Sequence, residues 1–272
     1  MGQVFSGLSW RRVKWKAPVV AGVGLLLVGW LLNTPGGLLG KADAVAYAVC
    51  HRIAVRSFSL GERPIPLCAR CTGMYLGALA GLVYQHQYGR RRMGTPPRSV
   101  IGVLAGLMLA FMVDGLNSYL TLFPGFPHLY EPQNWLRLLT GSGMGIAVSV
   151  ALFPAFNLTI WEHIDSRPAV TSLRSLGGLL AWVTLIDLLV LSKNPLLLYP
   201  LALISAGGVL VLLTMVYSLI WVMLLRTENR YIRLQQLFFP LTAGFGVALL
   251  QIALLDLGRY LITGTWDGFH FG

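Results

Sequence analysis

Charged residues are scarce in this sequence. Asp, Glu, Lys and Arg make up 11% of its 272 residues, whereas soluble domains carry about 25%. So little charge cannot cover the water-exposed surface of a soluble protein of this length, which excludes a soluble enzyme with a hydrophobic core. Acidic residues are scarcer than basic ones, 10 against 21. The basic residues are not interleaved with aromatic residues on a soluble domain, so nucleic acid is not a predicted partner.

Hydrophobic residues are abundant, at 56%, and they cluster in long runs. Several runs approach or exceed the ~20 residues that cross a bilayer as a helix. Backbone groups in lipid must be paired within their own segment, so these runs should be helical. We predict an all-α, polytopic membrane helix bundle with about seven transmembrane helices, forming a single membrane domain over residues 1–272. The predicted spans are 17–33, 72–88, 99–123, 135–156, 174–192, 198–225 and 235–262.

The distribution of Lys and Arg predicts the orientation. The loops that share a side with the N-terminus carry more basic residues than the loops on the other side, which places the N-terminus in the cytoplasm and the protein in the plasma (inner) membrane. An alternative is a cleaved signal peptide ending near 42–44. The first apolar run is longer than the ~7–15 residues of a signal peptide, so a retained first helix is favoured. Either way, the segment 34–71 is predicted to be extracytoplasmic.

All three cysteines lie within 22 residues of this segment, as Cys50 and the pair Cys68-Ala69-Arg70-Cys71. A Cys-x-x-Cys pair brings two sulfurs close enough to bind one metal ion or to form a disulfide. Cys50 and His51 would complete a Cys3His set, which suits zinc. Adjacent residues seldom both face one ion, so His51 lying outside the ligand set, with water or Asp114 in its place, is a second arrangement. The spacing is not that of haem attachment.

The same cysteines allow other functions. A structural disulfide or a closed metal site would fix the loop at the membrane surface. Alternatively, thiol exchange in an oxidising compartment would make the protein a membrane thiol–disulfide oxidoreductase coupled to a quinone. A quinone is expected only under this alternative, and the odd number of cysteines weighs against a full relay.

Polar residues inside the predicted spans fall in the half of the membrane next to the cysteines. They are Asp114, Asn117, Arg137, Asp187, Asp256 and Arg259. Ionisable groups in a bilayer usually face the bundle interior, so a polar cluster beneath the cysteine loop is predicted. If Asp114 pairs with Arg137 in it, each would offset the other's desolvation. The alternative is a set of buried pairs that fix helix register. A transporter is disfavoured because the other half holds few such groups.

A family resemblance rests on the cysteine segment and the polar residues after it. The motif residues are Cys50-His51-Arg52, Arg56-Ser57-Phe58, Gly61, Pro66, Cys68-Ala69-Arg70-Cys71-Thr72-Gly73, Tyr75, Gly77, Asp114, Asn134, Arg137, Thr140-Gly141 and Gly145. Over about residues 50–145 the sequence resembles a prokaryotic membrane family known as domain of unknown function 2085. The resemblance implies a bacterial or archaeal multi-pass protein. It also implies that Arg56, Asp114 and Arg137 form one constellation with the cysteines, and it supplies no reaction.

Together these observations predict an integral membrane protein with a Cys/His site, zinc-binding or structural, at the extracytoplasmic face. The expected ligands are Cys50, His51, Cys68 and Cys71, supported by Arg56, Asp114, Asn134 and Arg137. The expected role is that of an accessory or structural subunit, with the bilayer and other membrane subunits as partners.

Overall fold

Long helices dominate the fold. The computed structural model describes residues 7–123 and 125–268, and the side chains of residues 16–123 and 125–268. The helices within these ranges are α1 (Gly7–Asn33), α2 (Gly37–Val49), α3 (Ala69–Tyr88), α4 (Arg98–Leu120), α5 (Asn134–Ile160), α6 (Leu173–Leu191), α7 (Pro195–Leu224) and α8 (Phe238–Thr263). Short 3-10 turns lie at Ala54–Arg56 and Leu234–Leu237.

Seven of these helices correspond to the seven predicted spans. Apart from the start of α1, each observed boundary lies within four residues of the predicted one. Among the described residues, six helices are long and apolar enough to cross a membrane by length and composition. The seventh, α3, has 20 residues and is more polar, and many of its side chains are buried between other helices rather than exposed to lipid. The predicted helical membrane bundle is therefore confirmed, with α2 as an additional short helix.

Close backbone contact between α3 and α5 forms the centre of the bundle. A Cβ atom added to Gly73 of α3 would collide with the carbonyl oxygen of Leu138, and one added to Gly141 of α5 would collide with the carbonyl oxygen of Arg70. In membranes, small residues at such positions let helix backbones approach closely. This contact sets the first turn of α3 directly against the first turns of α5.

Four helices enclose the end of the bundle where the cysteines lie. Trp30 of α1, Val45 of α2, Val209 of α7 and Ile252 of α8 form one buried apolar cluster that also contains Cys50 and Cys68. Beside this cluster, strands β1 (Ser59–Leu60) and β2 (Arg63–Pro64) form a small antiparallel hairpin. The segment between α2 and α3 is therefore folded onto the bundle.

The opposite end of the bundle is closed by two longer loops. Strands β3 (Arg92–Gly94) and β4 (Asp165–Pro168) pair in parallel, with Arg92 opposite Asp165. Arg92 Nε lies 3.5 Å from Asp165 Oδ2, and Arg167 Nη2 lies 2.8 Å from the same oxygen. The hydrogen bonds donated by Arg167 lower the pKa of Asp165 to about 2. This end carries the basic loops that the sequence predicts to be cytoplasmic.

A three-cysteine candidate site

Three sulfur atoms converge at the junction of α2 and α3. The Sγ atoms of Cys50, Cys68 and Cys71 all lie within 4.8 Å of one another. Cys50 follows the last residue of α2, Cys68 is the N-cap of α3, and Cys71 lies in the first turn of α3. The Cys-x-x-Cys spacing therefore puts two sulfurs on one helical turn, and the chain between the helices returns the third. All three are free thiols, with Cys50 and Cys68 buried.

The position of Cys50 is fixed from α8. Arg259 Nη1 donates hydrogen bonds to the carbonyl oxygens of Tyr47 at 2.7 Å and Cys50 at 2.8 Å. The guanidinium also lies over the Tyr47 ring, 4.0 Å from its centroid, a cation–π arrangement. Arg259 thus satisfies carbonyls that the end of α2 leaves unpaired.

The sulfur of Cys50 is the acceptor of the group. The backbone N–H groups of Cys68 and Arg52 donate to it at 3.4 and 3.5 Å. Hydrogen bonds from the thiols of Cys68 and Cys71 hold the pKa of Cys50 well below its usual value. Conversely, the hydrogen bond to Cys50 raises the pKa of Cys68 to about 12. Hydrogen bonding to Cys50 likewise raises the pKa of Cys71, so these shifts favour one thiolate, on Cys50, beside two thiols.

The dimensions of the group suit a metal ion. Tetrahedral Zn–S bonds of about 2.3 Å place two sulfurs about 3.8 Å apart. The three Sγ atoms lie within 4.8 Å of one another, so small side-chain rotations would bring them to that separation. Three thiolates form a soft donor set, which favours zinc and other thiophilic ions over magnesium or calcium.

His51 lies outside this group. Its Nδ1 accepts a hydrogen bond from the backbone N–H of Ile53 at 3.1 Å. Burial lowers the pKa of His51, so the neutral ring is favoured. Within the described residues, the group of candidate ligands contains the three cysteines alone. The geometry thus corresponds to the second arrangement considered above, in which His51 lies outside the ligand set.

Asp114 anchors the polar cluster, but through a different partner from the one considered above. Arg70 Nε donates to Asp114 Oδ2 at 3.1 Å, and Arg70 Nη2 contacts the same oxygen. Tyr130 donates to Asp114 Oδ1 at 2.9 Å, and Thr140 donates to Oδ2 at 3.2 Å. The ion-pair partner of Asp114 is therefore Arg70, in the first turn of α3, rather than Arg137. With both oxygens engaged, Asp114 is also not positioned as a metal ligand.

Arg56, Asn134 and Arg137 meet around Ser118 of α4. Arg56 Nη2 donates to the Ser118 carbonyl oxygen at 2.9 Å. Arg137 donates to Ser118 Oγ at 3.4 Å and to Asn134 Oδ1 at 2.9 Å. Asn134 in turn donates to the carbonyl oxygens of Val55 and Ser57, at 3.1 and 3.3 Å. The structure thus brings the supporting residues named from the sequence into one network, which Arg70 connects to the cysteines.

The remaining intramembrane acids, Asp187 and Asp256, have hydrogen-bond partners of their own. Asp187 accepts a hydrogen bond from Ser142 at 2.7 Å, and Asp256 accepts one from Trp30 at 3.1 Å. Trp30 belongs to the buried cluster that contains Cys50 and Cys68, so Asp256 lies beside the cysteine site, and Ser142 packs against Gly73 in the first turns of α3.

Sequence reasoning missed Arg70, Tyr130 and the Asp43–Arg52 ion pair at 2.8 Å. A signal existed for Arg70 alone, because it lies between the two cysteines of the motif.

Comparison with known proteins places this arrangement in a family. The family described as "Predicted membrane protein (DUF2085)" matches residues 50–151. An uncharacterized protein of Methanothermobacter thermautotrophicus is 32% identical over 102 residues, which cover 38% of this chain and 82% of that protein. An uncharacterized protein of Methanocaldococcus jannaschii is 29% identical over 119 residues, 44% of this chain and 70% of that protein. No solved structure matches this chain at a significant level.

Proposed function

This chain belongs to the DUF2085 family of predicted membrane proteins, and we propose that it binds one zinc ion between Cys50, Cys68 and Cys71. The site lies at the extracytoplasmic face of the plasma membrane. The protein acts as an accessory or structural subunit of a membrane complex. The observation that carries the proposal is the convergence of three sulfurs within 4.8 Å from two separate segments of a chain with three cysteines in total.

The surroundings of the sulfurs support a bound cation with anionic ligands. Three thiolates and one Zn²⁺ carry a net charge of about −1, which is costly to bury unless it is compensated. Arg56 and Arg137 lie close enough to Cys68 to interact with it electrostatically, and Arg259 donates to the carbonyl of Cys50. These cationic groups supply the compensation.

The fourth zinc ligand in this proposal comes from outside the cysteine group. His51 is hydrogen-bonded to its own loop and Asp114 to Arg70, so a water molecule or a group from a partner subunit completes the tetrahedron. A ligand supplied by a partner would make the ion a link between subunits, which fits an accessory role.

Thiol exchange is the second candidate, favoured by the contact of Cys50 with both members of the Cys-x-x-Cys pair. In this reaction Cys68 and Cys71 form a disulfide and release two electrons and two protons, which reduce a membrane quinone to its quinol. The Cys50 thiolate would then attack this disulfide, forming a bond to one sulfur of the pair and releasing the other as a thiol. Two substrate thiols would take over the Cys50 disulfide in turn, leaving a substrate disulfide and the three cysteines reduced for the next quinone. The cysteines would cycle between oxidation states, whereas in the zinc proposal they stay metal-bound.

The experiment measures metal content and free thiols on the full chain purified in mild detergent. We expect about one zinc per chain. The variants Cys50→Ser, Cys68→Ser and Cys71→Ser should each lose it, while the matched neighbour variant His51→Ala should retain it. Cobalt substitution provides a second readout, because thiolate-to-cobalt charge-transfer absorption weakens with each sulfur removed.

Two results would overturn the zinc proposal. One is metal-free protein with two thiols that react only after reduction, which would favour thiol exchange or a structural disulfide. The other is zinc that survives all three serine substitutions, which would place the ion elsewhere. Loss of zinc in His51→Ala as well would show that His51 is a ligand, as in the Cys3His set predicted from the sequence.

A further inference from the structure

A groove lies between α3, α5 and α7 at the end of the bundle opposite the cysteines. Its volume is about 510 Å³. Its wall is apolar and includes Leu79 and Leu82 of α3, Phe153 and Phe156 of α5, and Val211 and Met215 of α7. Val211 lies well inside α7, about 20 Å along the helix from the C-terminal end at Leu224. The groove therefore extends from the end of the bundle toward its middle.

The mouth of the groove is basic. Arg90 and Arg91 line it, together with Trp161. Arg91 is held in place, since its Nη2 donates to the Ile232 carbonyl oxygen at 2.5 Å and its guanidinium lies 4.5 Å from the Trp161 ring centroid. A guanidinium has five N–H donors, and this contact uses one of them. The mouth thus presents a fixed cation next to an exposed one.

The structure describes no acidic side chain that neutralises these two charges. Among the residues that the structure describes, neither Arg90 nor Arg91 has a carboxylate within ion-pair distance, whereas the next residue, Arg92, pairs with Asp165. Two adjacent, uncompensated guanidinium groups above an apolar wall match a molecule with an anionic head and a hydrocarbon tail. Basic pockets between transmembrane helices bind anionic lipid head groups in this way.

We propose that this groove is a binding site for one anionic phospholipid. The phosphate accepts hydrogen bonds from Arg90 and Arg91, in the charge-assisted geometry that arginine favours. One acyl chain lies along α3, α5 and α7 as far as Val211. This site is at the far end of the bundle from the cysteines, so it depends neither on the metal nor on the orientation of the chain.

The experiment counts lipids on the full-length protein by native mass spectrometry, after titration with phosphatidylglycerol or phosphatidylcholine. One phosphatidylglycerol should be retained in preference to phosphatidylcholine. In Arg90→Gln/Arg91→Gln its affinity should fall by about thirtyfold, since each arginine near a membrane surface contributes roughly a factor of five. Free inorganic phosphate should not displace it, because the acyl chain supplies much of the contact.

Two further variants separate the charge of the groove mouth from the space within the groove. Arg226→Gln/Arg230→Gln removes the same charge from exposed positions in another loop at the same end, and it should bind phosphatidylglycerol like the parent chain. Val211→Phe leaves both arginines in place and fills the groove at a position 43% exposed, where an added ring does not disturb the core. It should weaken binding by about tenfold or more.

Three results would overturn the proposal. Equal retention of phosphatidylcholine would show that charge plays no part. An equal loss in Arg226→Gln/Arg230→Gln would show a diffuse basic surface, and full competition by inorganic phosphate would show an anion site without a lipid chain.

Discussion

Arg70 and Asp114 form an ion pair between α3 and α4, with Arg70 Nε 3.1 Å from Asp114 Oδ2. The carboxylate is 1% exposed and the arginine 17%. Because Arg70 lies between Cys68 and Cys71, this pair connects the sulfur site to the polar network around Ser118. The same guanidinium also donates to Ser118 Oγ at 2.8 Å.

Replacing the acid should therefore destabilise the protein strongly. Asp114→Asn leaves the Arg70 charge without its partner, and breaking a buried pair in this way costs about 3 kcal/mol or more. We expect a clear fall in the thermal unfolding midpoint in detergent. Asp165→Asn, which removes a partly exposed carboxylate from its arginine partners, is the control and should lower the midpoint much less. Equal midpoints for the two variants would contradict the role given to the Arg70–Asp114 pair.

A second prediction concerns the contact between α3 and α5. Gly141→Ala places a methyl group against the carbonyl of Arg70, and forcing extra volume into a packed interface costs about 1–3 kcal/mol. Gly106→Ala in α4 is the matched control, since a Cβ there meets no atom within 4 Å and alanine favours a helix. Unfolding in detergent should show a lower midpoint for the first variant and an unchanged or higher one for the second. A tolerated Gly141→Ala would mean that the two backbones are further apart.

Arg259 should control access to Cys50. In Arg259→Gln the carbonyls of Tyr47 and Cys50 lose their donor, so the end of α2 should open more often. In metal-stripped protein, maleimide modification of Cys50 should become severalfold faster, as followed by peptide mass spectrometry. Modification of Cys71, which lies on the first turn of α3, serves as the internal reference. If both cysteines accelerate equally, the effect is a general loosening and the specific role of Arg259 is refuted.

The predicted orientation can be tested at two exposed loops. In a cysteine-free background, Lys193→Cys lies in the turn between α6 and α7, and Arg230→Cys lies in the loop before α8. With the N-terminus in the cytoplasm, a membrane-impermeant maleimide should label the first in intact cells and the second only after permeabilisation. The reverse pattern would invert the topology and would place the cysteine site in a reducing compartment.

Most of the helical spans were predictable because each depends on the length of a single apolar run. The convergence of the cysteines was also foreseeable, since a Cys-x-x-Cys pair at the start of a helix puts two sulfurs on one turn. The return of Cys50 to the same point required only that the intervening loop fold back on itself.

The partner of Asp114 was not predictable, for a physical reason. Depth in the membrane places Arg70 and Arg137 in the same layer, but the choice between them depends on the rotation of α3 and α5 about their axes. That rotation is set by the glycine contact between the two helices, a tertiary feature. The role of Arg259 was missed for the same reason, because it lies more than 200 residues from Cys50 along the chain.

The segment between α2 and α3 has its two ends at the sulfur cluster, since Cys50 follows α2 and Cys68 precedes α3. A bond or ion that joins Cys50 to Cys68 therefore closes residues 51–67 into a ring. Arg56 within this ring reaches α4 at Ser118, and Asn134 of α5 reaches back to the carbonyls of Val55 and Ser57. The ring therefore holds the adjoining ends of α4 and α5 together. Opening it would release these two helix ends, while the contacts at the basic end of the bundle remain.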